Sequence, residues 1–274
     1  MTESISRGKD RYQYSLLGFF GLTFLISWGV WVPLTVLGVE TAWSKIGAFG
    51  PSLAALLLAA GQNGKPGLRD LLGKLFLWRV HWGWYAFSIL GPPLIMLAAI
   101  QIYRWQGGGG LVWNDPSQWY LSLAVLLYVL FTSVIGEEIG WRGYALPGLI
   151  SRVQTLGASL LVGAVWALWH LPLFWLPGDF HQELPLLVFF LQVAASSVIY
   201  GWMFVNTRGS LLLPNLFHAV TNTAVGLLPV LPMSTDGDLR PFYISVILLT
   251  AIAALLPVLF GRRLVISPRN EEKS

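Results

Sequence analysis

Cysteine is absent from the 274 residues, and charge is scarce, with Asp, Glu, Lys and Arg together making 11% of the chain. The first absence excludes disulfides, thiolate metal sites and a cysteine nucleophile, and leaves the redox compartment open. The second excludes an ordinary water-solvated surface, because soluble domains carry about 25% charged residues. With 55% hydrophobic residues and a mean hydropathy of +0.64, most of the surface must face lipid. Strand-period alternation of the barrel type is also missing, so helices are the spanning structure. What is abundant is tryptophan: 14 residues, many near the ends of apolar runs, as in the aromatic belts of membrane interfaces.

The expected fold is therefore all-α, a polytopic membrane helix bundle of about eight transmembrane helices. A span needs roughly 20 apolar residues. The runs fall at about 14–38, 46–62, 82–103, 118–146, 155–176, 184–206, 210–230 and 241–260. Arg7, Lys9 and Arg11 precede the first run as they would in a signal peptide. That run exceeds the roughly 7–15 residues of a signal h-region and reads as a first span. Leu68, Leu71, Leu72, Leu75 and Phe76 recur at helical spacing with Arg69, Asp70 and Lys74 on other faces, which predicts an interfacial amphipathic helix. Gly107 to Gly110 form a loop, and Asp115 or Ser117 is expected to cap the fourth helix. Of the 17 Lys and Arg, 14 fall on the side shared by the termini and 3 on the other. The asymmetry places the N- and C-termini in the cytoplasm and supports an even number of spans.

Six aspartates and five glutamates lie in loops or tails; the exceptions are Glu137 and Glu138, which directly follow an apolar stretch. An ionisable side chain at the bilayer centre costs roughly 2.5–3.5 kcal/mol on insertion scales, so a buried pair needs partners. Arg142 lies four residues after Glu138, on the same helix face and in the favourable order. Glu137 is rotated by about 100° and points elsewhere. His170 lies in an apolar span, and His218 shares a face with Asn222 four residues on. Glu137, His170 and His218 are at overlapping depths, which predicts one cavity open to the cytoplasm. His81 reads as interfacial, and His181 as belonging to an outer loop on the wrong side for this site.

At these residues the sequence resembles the CAAX-protease and bacteriocin-processing (CPBP) family of intramembrane proteases. The motifs are Glu137-Glu138-x-x-x-Arg142, Trp166-x-x-x-His170 and His218-x-x-x-Asn222, in the family's order, with Trp166 where Phe is common. The resemblance implies a protease core over 118–230; the apolar runs and charge pattern give N-terminal spans and the interfacial helix over 1–117, and the last span and cytoplasmic tail over 231–274. The resemblance also implies an intramembrane endopeptidase in which Glu137 and His170 activate a water. His218 and Asn222 would stabilise the oxyanion or help bind a metal, and Glu138 and Arg142 would support the site. Glu137, His170 and His218 match a His₂Glu zinc set, so a divalent metal such as zinc is one cofactor the resemblance allows; a metal-free general base is the other. The partners are a peptide or protein substrate, reaching the site from membrane or cytoplasm, and the bilayer; no nucleic acid is expected. A transporter, or a non-catalytic immunity or partner-binding membrane protein, would also place such polar groups at depth.

Overall fold

The computed structural model describes residues 15–39, 43–113 and 120–266; the caps expected at Asp115 and Ser117 lie outside them. Among the described residues there is no strand, and the chain is built on eight longer helices. These are α1 (Leu16–Leu37), α2 (Gly50–Gly73), α3 (Trp82–Trp105), α4 (Leu121–Ile150), α5 (Thr155–Trp169), α6 (Leu186–Asn206), α7 (Leu212–Leu227) and α8 (Arg240–Phe260). Leu17, Leu187 and Val258 are about four-fifths exposed, as lipid-facing side chains are. Phe19, Trp141, Trp169, Tyr200 and Phe217 are almost wholly buried between the helices. The protein is an integral membrane helix bundle.

Six of these segments are long and apolar enough to span: α1, α3, α4, α6, α8, and α5 continued through the 3₁₀ turn Leu171–Trp175. The expected count of eight included α2 and α7, which fall short for physical reasons. The apolar part of α2 stops before Gln62 and Asn63, and Gly64 (φ 56°, ψ −146°) breaks its helical path. Beyond that break the chain is helical to Gly73 and 3₁₀ through Phe76, within the stretch expected to be interfacial. Helix α7 has 16 residues, and His218, Thr221, Asn222 and Thr223 interrupt its apolar surface. These two short helices flank the polar centre of the bundle. α1 is an integral part of the fold, since Trp31 packs on Trp169 with ring centroids 4.6 Å apart.

Helix α4 carries the paired glutamates and is irregular on both sides of them. A π turn at Leu130–Val134 precedes the α-helical stretch Ile135–Gly140, and a second π turn follows at Trp141–Ala145. π turns inside α-helices cluster at functional sites. Gly136 and Gly140, one turn apart, let the start of α2 press against the α4 backbone. A Cβ at Gly136 would stand 2.7 Å from the Ala48 carbonyl oxygen, and one at Gly140 would overlap the Pro51 backbone. Ser52 Oγ also donates to the Ile135 carbonyl at 2.7 Å. Small residues at this spacing allow close helix approach in lipid. The contact fixes the rotation of the helix at Glu137 and Glu138.

Candidate active site

Glu138 is fully buried and serves two partners. Arg142 Nη1 donates to its Oε1 at 2.8 Å, and His218 Nδ1 lies 2.9 Å from the same oxygen. The Arg142 guanidinium is also fully buried, 4.3 Å from the Trp166 ring centroid and 4.6 Å from that of Tyr200. Cation–π contacts of this kind are worth about 2 kcal/mol or more when desolvated. The Glu138–Arg142 pair thus has the i,i+4 geometry read from the sequence. The histidine contact differs, because the carboxylate that His218 engages is Glu138, whereas Glu137 was expected to face both imidazoles. α7 crosses α4 on the Glu138 face, which leaves Glu137 turned toward α5.

On that side Trp166 Nε1 donates to Glu137 Oε2 at 2.7 Å. The carbonyl of the same residue accepts from His170 Nδ1 at 2.8 Å. A carbonyl can only accept, so Nδ1 carries the proton, and the neutral ring presents a bare Nε2. Trp166 therefore holds both residues, one through its indole and one through its backbone. Where Phe is common in the resembled family, Trp166 supplies a donor that Phe lacks. Trp166→Phe is expected to keep the protein folded and to lower kcat/KM by roughly 10- to 100-fold, since hydrogen bonds to charged groups contribute about 1.5–3 kcal/mol. Steady-state kinetics beside a thermal melt checks this.

Glu137, His170, His218 and Asn222 line one cavity of about 140 Å³, room for several waters, together with Trp31, Lys45 and His181. Two expectations need correction here. His181 belongs to the site: its ring lies 5.5 Å from that of His170 and packs on Phe189 at 4.8 Å. Its Nδ1 is 2.5 Å from Asp179 Oδ1, which also accepts from the His181 backbone N–H. Burial pushes the Asp179 carboxyl up, but these hydrogen bonds outweigh it and hold the group below the usual carboxylate range. The 3₁₀ turns Leu171–Trp175 and Phe180–Glu183 fold this loop back over the end of α5. The Asp-x-His spacing and the preceding Pro177-Gly178 were the only signals in the sequence. His81, by contrast, is exposed and caps α3 by accepting from the Gly83 N–H at 3.1 Å, away from the site.

The second correction concerns the mouth. Ser44, Lys45, Asp179 and Phe180 line the cavity, and all come from loops at the end of the bundle opposite Ser15 and Ile266. The depth estimate put the opening on the side of the termini, whereas these lining residues stand at the other end.

A His₂Glu metal site needs two His side chains and one Glu around one point. Among the described residues no three His, Asp or Glu side chains converge closely enough to share an ion. Glu138 takes up Nδ1 of His218, and Trp166 takes up Nδ1 of His170 and one oxygen of Glu137, contacts that orient both rings and leave each Nε2 directed elsewhere.

The membrane helix bundle thus brings a buried carboxylate pair, two histidines on separate helices and an asparagine to one cavity. Residues 118–224 match the family described as type II CAAX prenyl endopeptidase Rce1-like. Along most of its length the chain is also similar to CAAX prenyl protease 2 of Methanococcus maripaludis, at 26% identity over 267 residues, covering 89% of this chain and 94% of the relative. Both likenesses are to CAAX prenyl endopeptidases and support an intramembrane endopeptidase function.

Proposed function

We propose that Glu137, His170, His218 and Asn222 form the catalytic centre and hydrolyse a peptide bond by a glutamate-type mechanism. The observation that carries this is their convergence on one cavity from three helices. Glu137 takes a proton from water as the oxygen attacks the scissile carbonyl carbon, with the bare Nε2 of His170 as a second acceptor beside it. The resulting oxyanion is met by the Asn222 amide and by His218. Since His218 directs Nδ1–H at Glu138, donation from its Nε2 requires the doubly protonated ring, whose positive charge lies against that carboxylate. The proton held by Glu137 then passes to the amide nitrogen as the C–N bond breaks. Glu138 and Arg142 position α4 and His218 and do not touch the substrate.

The test is a comparison of membrane proteomes from cells with the wild-type chain and with Glu137→Gln, reading new peptide termini that depend on Glu137. Removal of metal is a second test. Purified protein treated with EDTA or 1,10-phenanthroline is expected to keep its cleavage rate within about twofold, since no step here runs through a metal. A rate that falls to background and returns with zinc would sink the glutamate-type mechanism. The excess of Lys and Arg supports placing both termini in the cytoplasm.

A further inference from the structure

We propose that one face of α6 binds the main chain of the substrate in extended form, so that the site takes polypeptides by their backbone and tolerates varied side chains. This deepens the hydrolytic reading above, on which the word substrate rests; the binding surface itself rests on geometry.

A polypeptide inside the bundle carries a donor and an acceptor on nearly every residue, and each is costly away from water unless paired. A helical segment satisfies them internally, but its carbonyls are then engaged and closed to attack. The segment that reaches Glu137 must therefore be unwound, and the site must replace the hydrogen bonds it gives up. Glu137, His170, His218 and Asn222 serve the reacting atoms and cannot also line up the chain on either side of them. Helix α6 contributes Gln192, Ser196 and Tyr200 to the same cavity, and none of the three has a part in that chemistry.

Four-residue spacing puts these three side chains on one face of the helix. Phe189 and Val193 line the cavity beside them and give the strip apolar flanks. Ser196 is only 6% exposed. Among the described residues no hydrogen bond engages the side chain of Gln192 or Ser196, so an amide and a hydroxyl meet the cavity with their bonding capacity unused. Ser197, one residue on and turned by about 100°, is the contrast: its hydroxyl donates to the Ser159 carbonyl of α5 at 2.7 Å. The spacing also fits an extended chain. Four helical residues rise by about 6 Å, and the main-chain groups on one edge of an extended peptide repeat every two residues, about 6.7 Å. Gln192 and Ser196 thus meet successive main-chain groups on one edge, and each can donate and accept. At the end of the strip Tyr200 lies against the catalytic groups, its ring 5.7 Å from that of His218 and 4.6 Å from the Arg142 guanidinium. The strip therefore leads the bound chain to the reacting centre.

Because backbone recognition tolerates sequence, a library of dye-labelled decapeptides with randomised side chains serves as the probe. A second library has alternate amides N-methylated. Binding is read by fluorescence anisotropy on the full-length Glu137→Gln protein in detergent, so that nothing is cleaved. In that background Gln192→Leu and Ser196→Ala are each expected to raise Kd by roughly 2- to 10-fold, as the loss of one net hydrogen bond does. The melting temperature should hold, because neither change breaks a bond within the protein. N-methylation should weaken binding to the parent by a similar factor, and to the double variant much less. Ser197→Ala breaks an internal bond and should lower the melting temperature while leaving Kd unchanged. The α6 assignment is overturned if the parent does not bind the library, if neither α6 variant moves Kd, or if Ser197→Ala moves it as much. Binding with the expected dependences, but without Glu137-dependent cleavage by the wild type, would instead sink the hydrolytic reading and leave the strip standing as a peptide site.

Discussion

Glu137→Gln is expected to lower peptide-bond cleavage by roughly 10²- to 10⁴-fold, the usual contribution of a positioned general base, while the folded protein stays in the membrane at its normal level. Glutamine has nearly the same shape, and its amide oxygen can still accept from the Trp166 indole, now 2.7 Å from Glu137 Oε2. It cannot take a proton from water. The neutral residue also removes a buried negative charge, so the melting temperature should hold or rise. Initial rates on a substrate found by the proteome comparison, beside a melt of the detergent-purified protein, give both numbers. Retention of more than about a tenth of the wild-type rate would be too much for the loss of a general base.

The second large effect falls on stability. Glu138→Gln leaves Arg142 fully buried without a counter-charge and weakens the hold on His218 Nδ1. Breaking a buried ion pair from one side costs about 3–5 kcal/mol. Glu138→Gln should therefore reduce the folded yield far more than Glu137→Gln does. Arg142→Met in the Glu138→Gln background should recover much of that loss, because two neutral side chains no longer strand a charge. Fluorescence-detected size exclusion over a heating series reads the order of the three variants. If Glu137→Gln proves the less stable single variant, the division of labour within the pair is wrong.

Much of this site was legible in the sequence, and the rest has identifiable causes of illegibility. The Glu138–Arg142 contact follows from four-residue spacing on a helix and is made although Arg142 lies within the second π turn. The shared face of His218 and Asn222 follows in the same way, and both side chains line the cavity. The partner of His218 depends on how far α4 is rotated, and each π turn shifts that rotation without a mark in the sequence. The role of Trp166 was hidden because an aromatic residue at helical spacing is ordinarily core, and only geometry distinguishes an indole aimed at a carboxylate. His181 was misplaced by treating its loop as remote, when two short 3₁₀ turns bring it back over α5. Among the described residues six helices qualify as spans by length and apolarity, because Gly64 breaks α2 and polar residues interrupt α7.

The two π turns of α4 bear on how related chains should line up. A π turn closes its hydrogen bond one residue later than an α turn, so it is equivalent to a single extra residue carried within a helix. Losing one residue between Leu130 and Val134, or between Trp141 and Ala145, would let that turn relax to α-helix while the helix remains continuous. Everything beyond it would keep its facing, because the π turn is what absorbs the extra residue. The stretch Ile135–Gly140 has no such slack, held as it is by Gly136 and Gly140 against α2. Alignments of relatives are thus expected to place isolated one-residue gaps on either side of Glu137 and Glu138, and none between Gly136 and Gly140.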